Sequence, residues 1–259
     1  MTHEQLQKRN FLFLVLGGFF LTNALIGETM GMKAFSLEHL IGVSPAQIPF
    51  LGGIKLDFNF MVGVLVWPFV FITTDIINEY FGTKGVKQIS FLAVILMFYA
   101  LLMVSIFTQL PPAPFWTELY QKEHQVNINQ SYSLVFSQTT NIIIGSFTAF
   151  LVSQLLDSYV FHWIRKNTGT KKIWLRATGS TLVSQIIDSF VVLFVSYYFL
   201  GNPAWTLNQV ISVALLNYTY KFLVAILLTP LLYFAHSVID NYLGLNEAKE
   251  MVEHSVEEN

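Results

Sequence analysis

The sequence predicts an all-α integral membrane protein with six transmembrane helices in one domain over residues 1–245. Three observations carry this. Of 259 residues, 54% are hydrophobic and only 12% are charged, whereas an ordinary soluble domain carries roughly 25% charged residues. Six apolar runs reach the roughly 20 residues needed to cross a hydrocarbon core about 30 Å thick. Lys and Arg also cluster between alternate runs, as they do when one set of loops faces the cytoplasm.

The first span runs from Asn10 to Met30, behind Lys8 and Arg9. It is too long for the apolar core of a secretory signal, and "NALIGETMG" offers no clear small-x-small cleavage site, so it reads as a retained span. The second, Asn59 to Gly82, contains Pro68, which predicts a kink. The third covers Val86 to Gln109 and is ended by "PPAP". The fourth runs from Leu134 to residue 163, the fifth from Ile173 to Leu200 and the sixth from Leu207 to Tyr233.

Two connections are long. In the first, 33–58, two glycines precede an alternation of Ile54, Leu56 and Phe58 with Lys55 and Asp57, a short-hairpin or re-entrant pattern suited to capping a cavity. The second, 111–132, carries Trp116 and Tyr120 and reads as an interfacial loop. The end of the chain, 246–259, is an acidic stretch expected to be a solvated, disordered cytoplasmic tail.

With the N-terminus inside, the inner segments carry Lys8, Arg9, Lys84, Lys87, Arg165, Lys166, Lys171, Lys172, Arg176 and Lys249. The outer loops carry only Lys33, Lys55 and Lys122. Both termini are therefore expected in the cytoplasm. The absence of cysteine removes disulfides and thiol chemistry. No P-loop, dinucleotide, H-E-x-x-H or G-x-S-x-G fingerprint occurs, and neither His162 nor His236 belongs to a three-ligand set. No enzyme activity, cofactor, metal or nucleic-acid partner is expected; the partners are a small molecule and membrane lipid.

An ionisable side chain at the centre of a span costs at least about 2.5–3.5 kcal/mol, so each is a functional candidate unless it serves only structural pairing. The candidates are Glu28, Asp75, Asp157, Asp188 and Lys221, with Glu79 near the inner boundary. Acids outnumber the single base, so water reaches them or some are protonated. The fourth and fifth spans repeat a motif: "SQLLDS" over Ser153–Ser158 and "SQIIDS" over Ser184–Ser189. Within each, Gln and Asp are three residues apart and share a helix face.

The two spans form a hairpin turning near Gly169, which places Gln154 and Gln185 at one depth near mid-membrane, with Asp157 toward the inside and Asp188 toward the outside. Two like faces related by a local two-fold axis in the membrane plane follow the inverted-repeat logic of secondary transporters. A helix–helix zipper of Ser and Gln competes with this reading, although Asp is costlier than such a zipper needs. For Lys221 the competing role is neutralising one Asp, and for Glu79 it is an acidic helix end answered by nearby Lys or Arg. Asn217 lies one turn before Lys221, on the same face.

"WPFVFITTDIINEYFGTKGVKQ", followed by "SQLLDS" and "SQIIDS" in successive spans, resembles the queuosine precursor transporter family, a branch of the vitamin uptake transporters. The similarity covers about 60–233. It implies an inner-membrane importer of 7-deazaguanine bases for tRNA modification, with a fold like the substrate-binding component of energy-coupling-factor transporters. Those components dock on their partner through a first span with small residues such as Ala-x-x-x-Ala. Here the first span ends in Gly27-Glu28-Thr29-Met30-Gly31, and autonomous, proton-coupled transport is expected in place of an ATP-driven partner module.

The substrate class fits the residues: a guanine-like edge offers adjacent N–H donors and a carbonyl that a carboxylate and an amide can read, and aromatic rings can sandwich it. Gln154, Asp157, Gln185 and Asp188 are expected to line the site, with Asp75, Glu79, Asn217 and Lys221 in a second rank. Import of another vitamin or purine-like compound, and a non-transporting scaffold subunit, are the alternatives. A scaffold predicts a dry zipper, whereas a carrier predicts a mid-membrane void of several hundred Å³.

Overall fold

The computed structural model describes residues 3–50, 55–168 and 173–257; for 154, 155, 157, 158, 161, 162, 164–168, 173–181, 225, 229, 254 and 256–257 it describes the backbone alone. Nine α-helices and four short strands follow one another among these residues.

Helix α1 (His3–Met30) is the first span. The connection after it holds strand β1 (Ala34–Ser36), helix α2 (Leu37–Ile41), strands β2 (Ile48–Pro49) and β3 (Lys55–Leu56), strand β4 (Asn59–Met61) and a 3-10 turn, 62–65. β1 pairs antiparallel with β4, Phe35 opposite Phe60, and β2 pairs antiparallel with β3. Glu38 pins this outer layer: its carboxylate accepts from the backbone N–H of Phe58 at 2.6 Å and of Ala46 at 3.3 Å, and from the Ser36 hydroxyl at 2.8 Å. Burial works against its charge, but these donors together outweigh that cost and hold its carboxyl below the ordinary range.

Helix α3 (Trp67–Gln109) is continuous in hydrogen bonding but not in direction. At 1.5 Å per residue its 43 residues would extend about 65 Å, twice a hydrocarbon core. Gly82 breaks it, with φ 63° and ψ −171°, a left-handed backbone that glycine adopts at no steric cost. The arms 67–81 and 83–109 fold back on one another. Val70 and Ile77 of the first share a cluster with Ile89 and Ala93 of the second, around Phe20 of α1.

Helix α4 (Pro114–His124) occupies the second long connection. Trp116 packs edge-on to Tyr120 and to Tyr132 of α5. Helix α5 (Ile128–Thr168) and α6 (Ile173–Leu193) form an extensively packed hairpin. A π-helical turn, 194–199, continues α6 and buries Tyr197. Its ring stacks on Trp205 at 4.2 Å, and its hydroxyl donates to the Met32 carbonyl.

Helix α7 (Leu207–Leu227) opens with a capping box between Thr206 and Gln209, and α8 (Thr229–Leu243) follows at once. Four helical stretches among the described residues are long and apolar enough to cross a membrane: His3–Met30, Trp67–Gln109, Ile128–Ser153 and Leu182–Phe199. The protein is therefore a multi-pass, all-α membrane protein.

The acidic end differs from expectation: 245–257 is helix α9, not disordered coil. Ala248, Met251 and Ser255 recur every three or four residues and are buried, so the helix is amphipathic. Ala248 and Met251 join Leu12, Tyr80, Ile239 and Leu243 in one core. Ser255 donates to the Glu79 carbonyl at 2.7 Å and lies over Gly82. The start of α1, the Gly82 bend and the last two helices therefore meet at one end of the molecule. At the other end Met61, Ile142, Leu193, Tyr197 and Val213 form a separate core.

Candidate functional site

Between these two cores lies a cavity of about 530 Å³. The folded-back arms of α3 give it Trp67, Phe71, Thr74 and Asp75 from one side and Lys87 and Ser90 from the other. The second Ser-Gln-x-x-Asp motif faces them: Ser184, Gln185, Asp188 and Ser189 all line the wall. Helical periodicity is the cause, since residues three and four apart on α6 point the same way.

Helix α7 brings Asn217 and Lys221, one turn apart, to the same wall. Lys221 Nζ donates to Asp188 Oδ2 at 2.8 Å and to Gln185 Oε1 at 3.1 Å. It also lies 5.9 Å from the Phe71 ring centroid, within cation–π reach. Lys221 thus neutralises one acid, the role that competed with ligand binding, and does so on the cavity surface. Asn217 accepts from the Met61 N–H at 3.4 Å and so ties α7 to β4.

Of the predicted residues, Gln185, Asp188, Asp75, Asn217 and Lys221 come together around one void. Gln154 and Asp157 have side chains outside the described residues, so the spacing of the two glutamines is not defined; neighbouring Ser153 does line the cavity. Glu79 lies elsewhere. Its carboxylate meets His236 Nε2 at 3.0 Å, the Tyr80 hydroxyl joins His236 Nδ1 at 2.9 Å, and the same hydroxyl donates to Asp240 at 2.7 Å. His236 lies beyond the six predicted spans, and its hydrogen bond with Glu79, reinforced by the charges of Glu79 and Asp240, raises its pKa despite the opposing effect of burial. No group of three or more His, Cys, Asp or Glu suited to a metal occurs among the described residues.

An amide, a carboxylate, an ammonium and two aromatic faces converge on a void large enough for a flat heterocycle. Residues 61–235 match the family model described as "Putative vitamin uptake transporter". This chain belongs to the vitamin uptake transporter family. It is similar to the "Probable queuosine precursor transporter" of Bacillus subtilis (strain 168), 30% identical over 182 residues covering 70% of this chain and 73% of the relative. The protein of the same name in Haemophilus influenzae (strain ATCC 51907 / DSM 11121 / KW20 / Rd) is 29% identical over 191 residues, 70% of this chain and 74% of the relative. The "Queuosine precursor transporter" of Escherichia coli (strain K12) is 26% identical over 206 residues, covering 77% and 84%. No solved structure matches.

As a vitamin uptake transporter family member the chain is a transporter, not an enzyme. The cavity also includes an intramembrane acid from outside the expected set of site residues. Glu28, at the end of α1, is 2% exposed and lines the void. What seats it is visible in the sequence as Gly27 and Gly31. A β-carbon at Gly31 would lie 2.9 Å from the Gly63 Cα, so the end of α1 can close on the 3-10 turn only through bare backbone. Gly27 and Gly31 thus lie against Trp67 and Gly63 of the same chain.

Proposed function

We propose that this chain imports queuosine precursors, 7-deazaguanine bases, across the inner membrane for tRNA modification, coupled to protons and without an ATP-driven partner module. The observation that carries this reading is the cavity of about 530 Å³ whose wall presents Gln185 and Asp188 on one helix face, beside Lys221. A carboxylate and an amide one turn apart match the donor–donor–acceptor edge of a guanine-like base. Trp67 and Phe71, stacked at 5.9 Å in the same wall, offer a flat apolar face for the heterocycle. The names of the relatives supply the substrate class.

A Ser/Gln zipper alone would leave no such void, which favours a carrier over a scaffold. Counting the arms of α3 separately, six segments cross the bilayer: 3–30, 67–81, 83–109, 128–168, 173–199 and 207–227. The meeting of the start of α1, the Gly82 bend and α9 at one end supports cytoplasmic placement of both termini, in line with the excess of Lys and Arg there.

The test is uptake of a radiolabelled 7-deazaguanine base by purified protein in liposomes. Saturable uptake, competed by other 7-deazaguanines and not by riboflavin or adenine, is expected; Gln185→Ala and Asp188→Asn should each lower it at least about tenfold, the loss of one charge-assisted pairing. Competition by an unrelated vitamin alone would move the reading to that compound. Unchanged uptake by both variants would remove the site assignment.

A further inference from the structure

Glu28 is the one buried acid of the cavity that the ligand-reading wall does not use. Among the described residues its Oε2 has no hydrogen-bond partner. The Ser146 side chain on α5 is its polar neighbour, and the charge of another acid, Asp188, acts on it. The cation across the void, Lys221, is already held by Asp188 at 2.8 Å and Gln185 at 3.1 Å.

Among the described residues, the other titratable and charged groups on the same cavity wall are Asp75 and Lys87 of α3, Asp188 of α6, Tyr197 of the π-helical turn and Lys221 of α7. Helix α8 meets α1 only near Leu12, about 24 Å along the helix from Glu28, and brings no charge to it. An ionised carboxylate with neither a cation nor a donor on one oxygen is an unstable occupant of such a place, whereas a carboxylic acid there carries no charge to be answered.

We propose that Glu28 is the group that carries the coupled proton: it takes a proton from the outer side before the base enters, keeps it while the base occupies the cavity, and gives it up on the inner side as the base leaves. This rests on the transport reading above. The Asp188–Lys221 salt bridge at 2.8 Å holds the ligand-reading wall together, and the change of protonation falls to Glu28. The division gives the buried Glu28 and the half-buried Asp188 different tasks in one cavity.

The test compares wild type and Glu28→Gln in liposomes, with two assays on the same labelled base. One measures accumulation under an inward proton gradient; the other measures exchange against unlabelled base trapped inside, without a gradient. Wild type should accumulate about tenfold per pH unit for one proton per neutral solute. Glu28→Gln should retain exchange within about threefold and lose accumulation. Wild-type accumulation indifferent to the gradient, or gradient-driven accumulation by Glu28→Gln, overturns the proposal while transport of the base stands. Loss of exchange as well would make Glu28 a binding or folding residue and also overturns it. Absence of both activities in wild type defeats the transport reading itself, and the proposal with it.

A second measurement needs no variant. Dicyclohexylcarbodiimide couples to protonated carboxyl groups in apolar surroundings, and peptide mapping of the treated wild-type protein should find the adduct on Glu28, diminished by the 7-deazaguanine base. Modification of other acids with none on Glu28 overturns the assignment.

Discussion

At the scale of single residues, the cavity shows how a charge is held inside a membrane protein. Lys221 is nearly buried and answered by Asp188 and Gln185, while Asp188 keeps about a quarter of its side chain accessible to the void. Removing the cation alone strands a carboxylate, whereas removing both charges leaves two neutral groups that still pack. Lys221→Met should therefore lower stability by about 1–3 kcal/mol, discounted from a fully buried pair for the water the cavity admits, and the double variant Lys221→Met/Asp188→Asn should recover much of it. Thermal unfolding in detergent, read as a double-mutant cycle, checks this. A loss in the double variant equal to the sum of the losses in Lys221→Met and Asp188→Asn would mean that the pair is not coupled.

The candidates Asp75, Gln185, Asp188, Asn217 and Lys221 were legible in the sequence, because a polar residue in an apolar run is costly and helical spacing shows which ones share a face. Glu28 was legible as an acid and not as a neighbour. Its place depends on the contact of Gly31 with Gly63, a tertiary approach that periodicity along one helix does not encode. Glu79 went the other way: its partner, His236, lies far along the chain, and only the fold brings it to α3.

At the scale of elements, the Gly82 bend decides the path of the chain. It lets one hydrogen-bonded helix serve as two arms, each lining the cavity, and it also forms the seat for α9. Gly82→Ala should cost about 1–3 kcal/mol from its backbone alone, because φ 63° with ψ −171° is a conformation that essentially only glycine adopts. The added β-carbon would also stand 3.4 Å from the Ser255 backbone. Limited proteolysis should then cleave within 245–257 faster than in wild type; equal cleavage would show that α9 docks independently of the bend. The apolar runs predicted separate spans on either side of this glycine, and the backbone turns there. The helix at the end of the chain was harder to read. The spacing of Ala248, Met251, Val252 and Ser255 was present, but the density of acids suggested solvation, and the surface it covers is assembled from α1, α3 and α8.

At the scale of the whole molecule, one polar chain joins distant parts of the sequence: Glu79, His236, Tyr80 and Asp240 link α3 to α8 just beneath α9. Glu79 raises the pKa of His236 above its ordinary 6.5 in the folded protein. A group whose folded pKa is raised adds stability that is fully present below its unfolded value and disappears as pH rises through the folded one. The contacts of α8 and α9 should therefore loosen as pH increases from about 6.5, seen as a falling melting temperature and faster hydrogen exchange in 229–257. Glu79→Gln should flatten that dependence, and an unaltered pH profile would place its origin elsewhere.

The stacking of Trp67 on Phe71 in the cavity wall has an optical consequence. An indole at the rim of the void is an emitter built into the site, and a flat heteroaromatic guest lying against it would accept or quench its excitation. Occupancy can then be followed by the protein's own fluorescence, with Trp67→Phe, which keeps the other four tryptophans, as the control that loses the response, and no dye need be attached to a chain that has no cysteine to carry one.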